Sequence, residues 1–137
     1  MDQFDRVLAK WQPTALSLFR FITGLLLLQY GIAKIFKFPV VPMFANLPPL
    51  ITAAGTLELV LGALLMIGLF TRIAAFLLSG EMAFAYFLGH MFKKPEEPVL
   101  LPLLNGGTAA ILFCFACLYL ATAGGGPISV DASRGKG

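Results

Sequence analysis

The chain has 137 residues, of which 58% are hydrophobic and only 12% charged, with a net charge of +3. Its mean hydropathy is +0.86. Soluble domains hold roughly 45–50% apolar residues, so this composition excludes a soluble globule and points to one membrane domain. No basic cluster is interleaved with aromatics, which excludes nucleic acid as a partner. The two cysteines lie three apart in one apolar block, which excludes a disulfide framework.

In chain order, Met1 to Pro13 is polar and mixed in charge. Asp2, Asp5, Arg6 and Lys10 are expected to be solvated and Trp11 to anchor at the interface. No short apolar run with a small-residue cleavage site marks a leader, so the first apolar block is expected to stay as a span. That span covers about 14–36. The Pro-rich loop 37–49 still carries Val40, Val41, Met43, Phe44 and Leu47, and is expected to lie on the interface. A second span, about 50–70, runs almost directly into a third, about 71–92. The junction Gly68-Leu69-Phe70-Thr71-Arg72 offers a Gly stop, a Thr cap and an anchoring Arg. Its shortness makes the two spans antiparallel neighbours. An aqueous loop with Lys93, Lys94, Glu96 and Glu97 follows, then a fourth span, about 99–123, and a polar tail from Gly124. Each block reaches the ~20 residues needed to cross a ~30 Å core.

The expected fold is therefore all-α: an integral membrane four-helix bundle, antiparallel, with both termini on the same side. Arg6, Lys10, Arg72, Arg134 and Lys136 would share that side, against Lys34, Lys37, Lys93 and Lys94 on the other. This narrow excess favours cytoplasmic termini in a bacterial inner (plasma) membrane, with the lipid bilayer as the first partner.

Three charges interrupt the spans: Arg20, Glu58 and Glu81. A charge at mid-membrane is costly unless it faces protein and finds a partner. At 100° per residue, Arg20, Gly24, Leu27, Gly31 and Lys34 form one stripe, flanked by Ser17 and Thr23. Ala54, Glu58 and Gly62 form the corresponding face of span two, and Ala74, Glu81, Ala85 and Leu88 that of span three. Counted from the span ends, Arg20 lies about 10 Å deep, Glu81 about 15 Å and Glu58 about 18 Å. Arg20 is thus expected within salt-bridge reach of Glu58 or Glu81. Two carboxylates sharing one arginine in low dielectric do not both ionise readily, which makes a site for proton exchange or for binding a quinone carbonyl. The competing reading is a structural salt bridge that fixes helix register.

Tyr30 and Lys34 are placed to line a route from this cluster to the surface. His90 closes span three, by angle opposite Glu81, and Asn105 lies at comparable depth, near enough to hydrogen-bond His90 or Tyr86. A single histidine cannot provide a bis-His haem, and no metal site is expected. Cys114 and Cys117 are spaced as a dithiol, but no helix N-terminus lies near to activate them, and cysteine is also a common small apolar filler.

Several of these motifs together resemble the DoxX family. Arg20 with Gly24, Gln29-Tyr30-Gly31-x-x-Lys34-x-Phe36, Glu58-x-x-x-Gly62 and the junction from Gly68 to Ala75 match its pattern in order. Ser79-Gly80-Glu81-Met82-Ala83-x-Ala85-Tyr86-Phe87 with His90, Leu104-Asn105-Gly106-Gly107 and Gly126-Pro127-x-Ser129-x-Asp131 continue it, so the likeness covers about 14–131. Thr108 departs from it, standing where the family commonly has an acidic residue. The resemblance implies a four-helix membrane protein and a membrane subunit linked to redox chemistry, with quinone as the small molecule expected. Such a subunit would work with other protein subunits or as a homo-oligomer, since no haem, flavin or nucleotide motif is present. The alternative is a non-enzymatic membrane scaffold or assembly subunit. A carrier is a third reading, but it usually needs internal repeats, and none is visible.

Overall fold

The computed structural model describes residues 2–38, 48–91 and 99–135. The loop expected on the interface and the Lys93–Glu97 loop fall largely or wholly outside these residues. Among the described residues the chain is helical and holds no strand.

Helix α1 (Gln3–Lys10) starts at Asp2, whose carboxylate accepts from the Asp5 N–H at 2.9 Å. Polar composition suggested a solvated segment here, and the finding is an amphipathic helix. It breaks at Trp11 because Pro13 has no N–H to give the Ala9 carbonyl. Helix α2 (Gln12–Phe36) begins with that proline in its first turn and ends at Lys37, which has a positive φ of 56°. Helix α3 (Pro49–Ile67) stops at Gly68, φ 75°. The Leu69 N–H reaches back to the Leu64 carbonyl at 2.9 Å, a Schellman-type closure that needs a left-handed residue at Gly68. Helix α4 (Thr71–Tyr86) continues through a π-helical turn, Phe87–Met91.

The fourth apolar block differs from expectation. In place of one helix over about 99–123 there is a four-residue α5 (Pro102–Asn105), then α6 (Thr108–Ala123). Gly106 at φ 73° and Gly107 separate them. The Asn105 side chain holds the break open: Oδ1 accepts from the Gly107 N–H at 2.8 Å, and Nδ2 donates to the Val99 carbonyl at 2.8 Å. A one-turn α7 (Val130–Ser133) closes the tail.

Gln12–Phe36, Pro49–Ile67 and Thr71–Met91 are long and apolar enough to cross a membrane, and α6 is a shorter apolar helix of 16 residues. The protein is thus a multi-pass membrane protein. Helices α2 and α3 pack antiparallel and very closely. A Cβ at Gly24 would come within 2.5 Å of the Met66 nitrogen, and one at Gly31 within 2.5 Å of the Leu59 nitrogen. Small residues at such crossings let backbones approach where no hydrophobic effect drives association. Helices α4 and α6 also run antiparallel, with Arg72 donating to the Thr122 carbonyl at one end and Ser79 to the Cys114 carbonyl further along. Leu27, Leu65, Ala75, Leu78, Met82, Cys117 and Leu120 form the core between the pairs.

The inward stripe of α2 is the expected one: Ser17, Arg20, Thr23, Gly24, Leu27 and Gly31 are buried. On α4 the stripe is rotated. Thr71, Ala74, Ala75, Leu78, Ser79, Met82 and Tyr86 are buried, whereas Leu88 is exposed and Glu81 lies at the edge. Packing against both α3 and α6 turns the helix from the face that Glu81 alone would select.

Candidate functional site

Register decides which charges meet. Glycines set α2 against α3 so that Gly24 faces Met66, Gly31 faces Leu59 and Lys34 lies over Gly55. Glu58 is one turn from Gly55, which brings it to Lys34 rather than Arg20. Lys34 Nζ donates to Glu58 Oε2 at 2.8 Å and to Oε1 at 3.0 Å. The pair is secluded, with 14% of the lysine side chain and 3% of the glutamate side chain exposed. At that burial the two charges are screened far less than a surface pair.

The expected Arg20–Glu58/Glu81 contact does not form. Arg20 precedes Lys34 by fourteen residues, or about 21 Å along the helix, too far to share its partner. Arg20 is buried at the opposite end and serves backbone carbonyls instead. Nη1 donates to Gly125 at 2.6 Å and Ile128 at 2.8 Å, and Nη2 approaches the Met66 carbonyl at 3.4 Å. Ser17 assists: its hydroxyl accepts from the Ile128 N–H at 3.0 Å. Asp131 interacts electrostatically with Arg20. Sequence reasoning gave Asp131 no role and assigned the α4 cap to Thr71. The N-cap position belongs to Phe70, and the capping oxygens come from the Asp131 carboxylate, which accepts from the Phe70 and Thr71 N–H groups at 2.9 Å each. The available signal was Ser129-x-Asp131 after Gly126-Pro127, a polar turn that needs a helix end to serve.

Glu81 is the unusual member. Both of its carboxylate oxygens are shielded, and neither takes part in a hydrogen bond among the described residues. It lies near enough to Glu58 and Lys34 to interact electrostatically with both. Tyr30 borders this group: its ring is 5.8 Å from Lys34 Nζ and meets Phe113 edge-on at 6.4 Å. So α2, α3, α4 and α6 contribute Tyr30 and Lys34, Glu58, Glu81 and Phe113 to one region. The arrangement can hold one compensated ion pair and one further carboxyl, beside aromatic faces. Lys34 is thus the cation paired with Glu58, the position expected of Arg20.

His90 and Asn105 form a separate group. Asn105 Nδ2 donates to Tyr86 Oη at 3.2 Å, Tyr86 Oη donates to the Leu100 carbonyl at 2.7 Å, and His90 Nδ1 lies 3.2 Å from the Asn105 carbonyl. These bonds fasten the π-helical turn to α5 and its approach. Cys114 is half-buried and Cys117 buried, and both are free thiols.

A DoxX family model matches residues 15–91, which include Arg20, Tyr30, Lys34, Glu58, Glu81 and His90. The chain is 37% identical over 127 residues to an uncharacterized protein of Haemophilus influenzae, an alignment that covers 90% of this chain and 93% of that one. No solved structure matches.

Proposed function

The chain belongs to the DoxX family of membrane proteins, and we propose that it is a redox-linked membrane subunit that binds a small, lipid-soluble quinone head group at Glu81. The observation that carries this reading is the Glu81 carboxyl itself. It is shielded, accepts no hydrogen bond among the described residues, and stands beside an already compensated Lys34–Glu58 pair. A buried polar group without a partner is costly, and intramembrane ionisable groups mark ligand or proton paths by default. A protonated Glu81 would donate to a neutral carbonyl oxygen, Tyr30 and Phe113 would offer ring contacts, and Lys34–Glu58 would hold the local charge balance. Quinone would supply the redox chemistry, and the protein the binding and the proton. Arg20 has no part in this site.

In this reading α6 makes the fourth crossing of an antiparallel bundle in the bacterial inner membrane, and both termini share one side. Catalysis would need a second, electron-donating subunit.

The test is binding of a short-chain ubiquinone analogue to the purified protein in mild detergent. Wild type should bind, Glu81→Gln should weaken binding at least ten-fold, and Arg20→Met should bind like wild type wherever it remains folded. If wild type binds nothing, or if Glu81→Gln binds as tightly as wild type, the reading is wrong and the scaffold alternative takes its place.

A further inference from the structure

Helix α1 carries an unpartnered face of a specific kind. At 100° per residue, Phe4, Val7, Leu8 and Trp11 fall within an arc of about 100°, and Asp2, Gln3, Asp5, Arg6, Ala9 and Lys10 occupy the remainder. All four apolar side chains are exposed, from 51% at Val7 to 70% at Phe4, and no residue of α1 is buried. A strongly sorted helix that covers nothing in its own fold has its apolar face turned to something else.

We propose that α1 lies in the plane of the membrane interface, with the Phe4/Val7/Leu8/Trp11 face in the upper acyl region of a zwitterionic phospholipid layer. Three observations select this occupant. The first is continuity. Only Trp11 separates α1 from α2, a span whose own outward residues Leu18, Phe19, Phe21 and Ile22 are exposed apolar side chains. The Pro13 break lets α1 leave the α2 axis where the span enters the lipid.

The second is charge. Asp2 and Asp5 balance Arg6 and Lys10, so the polar face needs no anionic lipid, in contrast to the Lys/Arg-rich faces of electrostatically recruited helices. The third is size. Four side chains on two helical turns are far fewer than the ~20–30 residues a side that a stable protein interface uses, so a second copy of the chain is a poor fit. A helix this short would not hold to a membrane alone. Its tether to α2 makes the insertion intramolecular.

The structure thereby assigns the terminal side of the protein a membrane-parallel collar rather than a solvated arm. The collar would fix the depth at which α2 starts, and with it the depth of Arg20 and of the tail docked on it.

Trp11 is the only tryptophan, so single-tryptophan probes need one background substitution. In full-length protein in phosphatidylcholine nanodiscs, Trp11→Phe is combined with Phe4→Trp, with Leu8→Trp, or with Ala9→Trp on the polar face. Emission is read with acyl-brominated lipid and with iodide. The Phe4 and Leu8 probes should be blue-shifted and quenched several-fold more by brominated lipid than the Ala9 probe, which iodide should quench instead. The pattern should be unchanged when a fifth of the lipid is anionic. Water-like, iodide-quenched emission from all three probes would place α1 in solvent and overturn the proposal. Blue-shifted emission insensitive to both quenchers would mean that protein covers the face. Insertion that appears only with anionic lipid would remove the assignment to a zwitterionic surface.

Discussion

Asp131 and Thr71, sixty residues apart in sequence, form the cap of α4: the Thr71 N–H donates to the Asp131 carboxylate at 2.9 Å, and the Phe70 N–H donates to its second oxygen at the same distance. The link is made rigid from the other direction by the Asp131 N–H, which donates to the Gly68 carbonyl at 2.8 Å. Phe70 has a positive φ of 53°, a conformation that costs a bulky residue about 1–3 kcal/mol. It persists because Asp131 fixes its N–H while the Arg134 guanidinium sits 5.3 Å from its ring. The tail is thus the N-terminal cap of a membrane helix.

This cap makes stability depend on pH. Burial alone would raise the Asp131 pKa, but the Thr71 and Phe70 N–H groups and the Arg134 charge outweigh it and leave it lowered. With the folded value below an unfolded value of about 3.9, the contribution is fully present above that pH and is lost as pH falls through the folded value. Asp131→Ala should cost about 0.5–2 kcal/mol at neutral pH. It should also flatten the acid loss relative to wild type. Thermal melts in detergent between about pH 6 and 2.5 read both effects; identical curves for the two proteins would show that the cap contributes nothing.

Arg20 should be equally structural. Arg20→Met removes the guanidinium from the Gly125 and Ile128 carbonyls and leaves the buried Gly125 oxygen only the long 3.4 Å bond from the Ser17 hydroxyl; a stranded buried acceptor costs about 1–3 kcal/mol. A loss of about 1–3 kcal/mol is expected, together with faster proteolysis at the tail. Arg20→Lys should recover only part of it, because an ammonium lacks the guanidinium's planar fork. Melting temperature and limited proteolysis, read together, check this.

The Lys34–Glu58 pair should behave as a buried ion pair. Lys34→Met strands the Glu58 charge and should destabilise by about 3–5 kcal/mol, while Lys34→Met with Glu58→Leu should return most of that loss. A double-mutant cycle by chemical denaturation gives the coupling. Simple additivity of the two single changes would mean that the pair is not coupled in the membrane.

Membrane topology is open to direct measurement. In cells, single cysteines introduced at Gln3 and at Ser133, in a Cys114→Ala/Cys117→Ala background, should react with an impermeant maleimide from the same side. One at Leu101 should react from the opposite side. Labelling of Ser133 and Leu101 from one face would mean that α6 does not cross.

Hydropathy and helical period alone determined much of this protein. A run of apolar residues has few ways to satisfy its backbone in lipid other than helix, so the spans through α2, α3 and α4 were legible, as was the buried stripe from Ser17 to Gly31. Gly24 and Gly31 on that stripe stand where the α3 backbone comes close. The Pro13 and Asn105-Gly106-Gly107 breaks were written in the sequence too, yet they became α1 and the shortened α6 only where local hydrogen bonds outweighed hydropathy. The pairing of charges was decided by tertiary structure. Depth counting placed Arg20, Glu58 and Glu81 at similar levels. It contains neither the rotation of α4 nor the register of α2 on α3, and one helical turn of register shifts a partner by about 5.4 Å. The glycine crossing set that register, gave Glu58 to Lys34, left the Glu81 carboxyl without a hydrogen bond among the described residues, and released Arg20 to bind a tail whose docking no local pattern foretold.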